Sequence, residues 1–206
     1  MLLAIDTSAG TSVAVVDRDA GVIAERSSAD TRGHAEIIGT YIRACLDEWG
    51  GEVTALSGVV AGTGPGPFTG LRVGIAAARA FAFGARKPVI PVVSHDAIAF
   101  GASEPVLVVT DARRHELFWS AYSGSDAAGL PVRLSGPNLA RAVELEHDTA
   151  EHAAFRRLDS GLVAAGALGL VAELQYFNGR AFAADQPIYL RSPDVTISAG
   201  PKRVTS

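Results

Sequence analysis

The stretch Gly62 to Gly74, GTGPGPFTGLRVG, has the grammar of a loop that wraps phosphate: glycines and a threonine between an apolar run and a helix-forming one. Phosphate chemistry asks more of it. A P-loop places a lysine and then Ser or Thr at the helix start, whereas Gly70, Leu71 and Arg72 stand there. Pro65 and Pro67 remove two amide donors. What the segment does supply is a row of small residues at every fourth position, Gly66, Gly70, Gly74, Ala78 and Ala82, along which another backbone can approach closely. Arg72, Arg79 and Arg86 recur every seven residues and give the same helix a charged edge. The expectation is a packing or docking helix rather than a nucleotide site.

A second candidate lies at the start of the chain. Asp6, Thr7 and Ser8, with Gly10 behind them, form a hairpin turn in which a carboxylate could hold magnesium and hydroxyls and amides could hold phosphate. An ordinary Asx turn uses the same residues. A full cradle needs a matching glycine-rich turn from a second unit, and the corresponding segment, Asp111-Ala112-Arg113-Arg114, puts side chains where bare backbone is wanted. We read Asp6, Thr7 and Ser8 as a vestigial phosphate turn. A stand-alone ATPase or small-molecule kinase built on them is the alternative reading.

Other chemistries find little support. The histidines are His34, His95, His115, His147 and His152, and none is paired at the i, i+4 spacing that sets two imidazoles on one helix face. No G-x-S-x-G occurs, and the single Cys45 sits among Ile42, Leu46 and Trp49 as a small hydrophobe. No catalytic residue and no metal site are therefore expected.

The elements that must carry these residues alternate. Met1–Ile5, Ser12–Asp17 and Val22–Arg26 read as a three-strand meander; Arg32–Gly50 carries Ile38, Tyr41, Ile42 and Cys45 on one helical stripe. Ser57–Ala61 (strand), Phe68–Ala85 (helix), Val89–Val93 (strand) and Ser94–Phe100 (helix) follow. After Gly101–Pro105 the strand pattern restarts with Val106–Thr110, Leu117–Tyr122 and Val132–Leu134. Asn138–Leu158 is charged and helix-like, Gly161–Ala165 is a candidate strand and Leu168–Phe177 a helix. Two β-β-β-α-β-α units, the second reduced, predict an α/β chain with the duplicated actin-like (ASKHA, ribonuclease-H-like) fold. The expected units are 1–103 and 104–195, with a tail at 196–206.

Composition sets the outer bounds. With 206 residues, 48% of them hydrophobic, the chain can bury a sizeable core, and its net charge of −4 contains no like-charged block. Val53 to Leu71 is uncharged, but five glycines and two prolines bar it from spanning a membrane. A cytoplasmic protein without membrane attachment is expected.

Four motifs, in order, resemble the bacterial TsaB (YeaZ) family: IDTS at Ile5–Ser8, GTGPGPFTGLRVG at Gly62–Gly74, TDARRHELF at Thr110–Phe118 and PIYLR at Pro187–Arg191. The match is good over the first hundred and twenty residues and only in outline over Ser123–Asp185. The resemblance implies a noncatalytic partner of the homologous TsaD in forming threonylcarbamoyladenosine at position 37 of tRNAs. It also implies a TsaE-type ATPase as further partner, contact with tRNA only through the complex, and a homodimer when alone. No cofactor of its own is implied, only ATP or ADP at the junction with TsaD. TsaD holds its metal with an H-x-x-x-H after a strand like Val89–Val93; here that position keeps His95, and Ala99 stands for the second ligand. The docking helices of the family correspond to Arg32–Trp49 and Phe68–Ala85. The interface residues assigned on that basis are Ile38, Tyr41, Ile42, Cys45, Gly70, Leu71, Arg72, Gly74, Ile75, Ala78 and Arg79.

Overall fold

The computed structural model describes residues 1–191. The tail assigned to 196–206, and the end of the second unit from 192, lie outside the described residues.

The first sheet has the order β3-β2-β1-β4-β5 and is built from β1 (Leu2–Asp6), β2 (Thr11–Asp17), β3 (Gly21–Ser28), β4 (Gly58–Gly62) and β5 (Val89–Val92). β1 runs antiparallel to β2 and parallel to β4. It is buried on both faces, which is why LLAID reads as a continuous apolar run rather than an alternating one. Alternate side chains still serve different layers. Leu3 and Ile5 face the layer of α1 (His34–Trp49) and α2 (Phe68–Ala85), whereas Leu2 and Ala4 face the opposite layer. α1 ends as its sequence predicts, on Gly50 in the left-handed conformation with φ 68°. α2 ends on Arg86, a non-glycine residue held at φ 56°.

The second sheet has the order β8-β7-β6-β9 and holds β6 (Val106–Arg113), β7 (Glu116–Ser125), β8 (Pro131–Arg141) and β9 (Arg156–Ser160). β9 pairs parallel to β6, as β4 pairs to β1, so the two sheets repeat one plan. That is the duplicated actin-like fold. The reduction lies between β8 and β9. Where the first unit has the sixteen-residue α1, the second has only α4 (Leu145–Asp148) and a 3-10 turn at Ala150–His152.

Two expectations are corrected here. Asn138–Leu158 is helical only at α4 and the 3-10 turn in its middle: β8 runs on to Arg141 and β9 begins at Arg156, because pairing with β7 and β6 overrides local propensity. Gly161–Ala165 is not a strand; the strand is Arg156–Ser160, an edge strand whose charged side chains hid it from a search for apolar runs. The expected division at residue 103 lies in the gap between α3 (Ser94–Ala99) and β6, and one later helix packs back across it. α5 (Ala165–Phe177) returns to the first sheet, where Leu168, Val171 and Ala172 pack with Leu2, Ala4, Ala14 and Val16. The approach is close because Gly169 has no side chain: a Cβ there would meet Val16 Cγ2 at 2.5 Å.

Candidate functional site

The two motifs singled out in the sequence fold against each other. β1 carries Asp6 to the end of the sheet, and the adjacent parallel strand β4 delivers the glycine loop beside it. Asp6 is 2% exposed, and both of its oxygens are engaged. Oδ1 accepts from the Ser8 amide at 2.7 Å and the Ser8 hydroxyl at 2.6 Å; Oδ2 accepts from the Ser94 hydroxyl at 2.5 Å. Burial pushes the carboxyl above the ordinary aspartate value, and the Ser8 and Ser94 hydrogen bonds pull it back. Ser94 also accepts from the Gly64 amide at 2.9 Å, which ties the α3 start to the loop. Thr7 donates to the Gly70 carbonyl at 2.7 Å and accepts from the Gly74 amide at 2.8 Å, so its hydroxyl closes the first turns of α2.

These bonds explain the four-residue glycine period. A Cβ on Gly66 would meet Ser8 Cα at 2.8 Å, one on Gly70 the Thr7 carbonyl oxygen at 3.0 Å, and one on Gly74 the Thr7 Oγ1 at 2.3 Å. The ridge therefore admits the chain's own turn. The backbone that approaches it closely is that of Thr7 and Ser8.

The same burial corrects most of the assigned interface. Ile38, Cys45, Leu71, Ile75 and Ala78 are 7%, 0%, 0%, 6% and 0% exposed, and Gly70 and Gly74 are buried with them. Tyr41 and Ile42 are half-buried against the same core. Cys45 donates to the Val13 carbonyl, and burial raises its thiol to about 11. Arg72 and Arg79 are exposed but engaged within the chain. Arg72 donates from Nε to the Tyr189 hydroxyl at 2.8 Å and lies 3.6 Å above the Phe68 ring; Arg79 bonds Asp185 at 2.9 Å. What α1 and α2 leave uncovered is a different set: Gly39, Thr40 and Arg43 on α1, and Ala76, Ala80 and Phe83 on α2. Phe83 is 87% exposed, more than any other aromatic residue described. Sequence reading passed over it, although its offset of seven from Ala76 and three from Ala80 places it on the face opposite the ridge.

His95 is fully buried between the two units. Its Nδ1 lies 2.8 Å from the Ser120 hydroxyl on β7 and its Nε2 2.9 Å from the Thr110 hydroxyl on β6. Burial pushes the imidazole down to about 3, so it stays neutral. Asp96 beside it accepts from the Tyr122 hydroxyl at 2.7 Å and pairs with Arg133. Among the described residues no cluster of three or more His, Cys, Asp or Glu side chains is arranged to hold a metal, and no helix is long and apolar enough to cross a membrane.

A family model described as TsaD, tRNA N6-adenosine threonylcarbamoyltransferase, matches residues 9–130. The solved structure of YeaZ from Pseudomonas aeruginosa superposes with a TM-score of 0.74 at 26% identity, covering 92% of this chain and 99% of that one. The chain belongs to the TsaD family, as a TsaB (YeaZ) member. An uncharacterized protein of Mycobacterium tuberculosis is 36% identical over 203 residues, 94% of this chain and 92% of its own length. The tRNA threonylcarbamoyladenosine biosynthesis protein TsaB of Escherichia coli is 32% identical over 126 residues, 59% of this chain and 54% of that protein. Family membership extends to the motifs. The glycine loop and the Asp6 turn lie within or beside the matched span, and the structure shows that they form one packed unit.

Proposed function

We propose that the chain is a noncatalytic partner of a TsaD-type transferase in forming threonylcarbamoyladenosine on tRNA, and that it docks through the outer faces of α1 and α2. The observation that carries this reading is the closure of the Asp6 turn: the buried carboxylate already accepts from the Ser8 amide, the Ser8 hydroxyl and the Ser94 hydroxyl, so both of its oxygens are tied into the fold. His95, likewise, spends both ring nitrogens on Ser120 and Thr110. These groups, which an ATPase or a metal-dependent transferase of this fold would use, are engaged in tertiary packing, and that supports the noncatalytic reading. The surface left uncovered is a helix face with Ala76, Ala80 and Phe83 at its centre, small side chains around one aromatic anchor. In isolation the same face would pair two copies of the chain. A TsaE-type ATPase, and ATP or ADP at the junction, complete the assembly that the family names suggest; tRNA is reached within it, in the cytoplasm.

Size-exclusion chromatography with light scattering tests this, on the chain alone and mixed with the TsaD of the same organism. Ala80→Arg and Phe83→Asp are the informative substitutions, because both side chains stand in solvent, whereas Leu71 and Ala78 are core positions. The expected result is a dimer that gives way to a mixed complex, with both species lost in the two variants. A monomer indifferent to TsaD would overturn the reading, as would threonylcarbamoyl transfer by the chain alone.

A further inference from the structure

A trough separates the two units where the glycine loop faces the β6–β7 hairpin, and its walls are arginine. The central cavity, about 470 Å³, lies between Pro67–Thr69 of the loop, Arg113 and Arg114 of the hairpin, and Tyr189 and Arg191 of the returning carboxy-terminal segment. A second cavity of about 420 Å³ shares Arg114 and Arg191 with it and adds Arg141; a third of about 270 Å³ shares Arg113 and adds Arg32. Five guanidinium groups thus line three adjoining cavities, and among the described residues Glu116, which pairs with Arg191 at 3.3 Å, is the only carboxylate in their lining. Among the described residues, Asp111 pairs with Arg113 at 3.5 Å and Glu144 with Arg141 at 3.8 Å from outside the lining. Both pairs are long and solvent-exposed, the kind that exchanges readily for another anion. The chain as a whole carries −4, so this concentration is local.

We propose that the trough holds the phosphodiester backbone of the tRNA substrate. The inference rests on the function proposed above and locates in this chain a direct contact with the RNA. Three features favour a nucleic-acid strand over an acidic peptide. The arginines are spread over three neighbouring cavities that share Arg113, Arg114 and Arg191, a wider spacing of charge than a single anion needs. Tyr189, 37% exposed, and Phe68 line the central cavity, their ring centroids 4.8 Å apart and the Arg72 guanidinium 3.6 Å above the Phe68 ring. Arginine spaced by aromatic rings suits phosphate and base together, whereas an acidic peptide needs only the charge. The β6–β7 hairpin also holds Arg113, Arg114 and His115 at φ 67°, 52° and 62°, a left-handed run that sets successive side chains around the turn.

The test uses the assembled complex of this chain with its TsaD partner, a fluorescently labelled unmodified tRNA transcript and anisotropy titrations across a salt series. Each phosphate that is no longer neutralised lowers the slope of log affinity against log salt by about 0.7–0.9. The double variant Arg113→Ala/Arg114→Ala is therefore expected to lower that slope by about 1.5 and to weaken binding roughly tenfold at low salt. Arg18→Ala, an equal charge change per residue at a distant site where the guanidinium stacks on Phe177, is expected to leave both unchanged. Light scattering on the same samples reports whether the complex has assembled, and the titration is repeated on the chain alone. Loss of assembly with the arginine effect intact would overturn the docking reading and leave this inference standing. A double variant that still assembles and binds tRNA within twofold of wild type would overturn the inference. So would displacement of the tRNA by poly-glutamate as effective as that by a short RNA of equal charge, or AMP binding by the chain that depends on Arg113 and Arg114, since the trough would then be a peptide or mononucleotide site.

Discussion

Asp6–Gly10 and Asp111–His115 are the same turn in the two halves of a duplicated plan, each joining the first two strands of its sheet. They have reached opposite ends of the range open to a turn. The first is sealed: Asp6, Thr7 and Ser8 are at most 4% exposed, and their hydrogen bonds run inward to β1, α2 and α3. The second stands in solvent, where Asp111 accepts from the Arg113 amide and the turn residues are arginines. The difference comes from what each turn meets. A glycine loop and a helix start close over the first, whereas an open trough faces the second. A shared ancestral geometry therefore tells little about chemistry until its surroundings are known.

The sharpest way to break this comparison is to remove the aspartate from each turn. Asp6→Ala strands the Ser8 amide and two hydroxyls in the core and should cost about 3–5 kcal/mol in urea unfolding. Asp111→Ala, which removes an exposed hydrogen bond, should cost less than about 1 kcal/mol. Equal losses would mean that the two turns are not differently loaded.

The seam between the units should show in the pH dependence of stability. The His95 imidazole is held down to about 3 in the folded chain against 6.5 for a free one, so the unfolded chain takes up a proton that the folded chain refuses. Its contribution is complete above pH 6.5 and is lost as the pH falls toward 3, with a slope of at most about 1.4 kcal/mol per pH unit. The raised Asp6 acts in the opposite sense: from 3.8 upward to its folded value, stability falls as pH rises. In His95→Gln, chemical denaturation at a series of pH values should show the first slope gone and the second exposed.

A smaller effect is expected at the glycine ridge. Gly74→Ala drives a Cβ to 2.3 Å from Thr7 Oγ1 and should cost about 1–3 kcal/mol, less in a Thr7→Ala background where that atom is absent. A double-mutant cycle with no coupling would show that the ridge does not seat the turn. The smallest change belongs to the open hairpin. Arg114→Gly relieves a left-handed φ of 52° and should raise stability by about 0.5–1 kcal/mol by thermal melting, while weakening RNA binding if the trough holds RNA.

Much of this architecture is legible in the chain. β1, β2, α1 and α2 announce themselves because an apolar strand buried on both faces and a helix with one apolar stripe leave different periods in the sequence. Phe68–Ala85 is found at its observed bounds. β9 is not legible, since Arg156-Arg157-Leu158-Asp159-Ser160 becomes a strand only through its pairing with β6. Nor is the direction in which the glycine ridge faces. Period four shows that something approaches closely, and it cannot say whether that is another helix or Thr7, more than sixty positions earlier in the chain.

The amino-acid order alone therefore determined the duplicated plan and the family, because these are written in local periodicity, turn residues and motif spelling. Which residues face a partner was decided only by the tertiary structure. Leu71 and Ala78 went inward and Phe83 outward, Arg72 and Arg79 were taken by Tyr189 and Asp185, and five arginines from distant segments were gathered along one trough. The physical reason is that burial and charge neighbourhood are properties of contacts between segments far apart in the chain, and a single helix carries no record of which of its faces the rest of the molecule will cover.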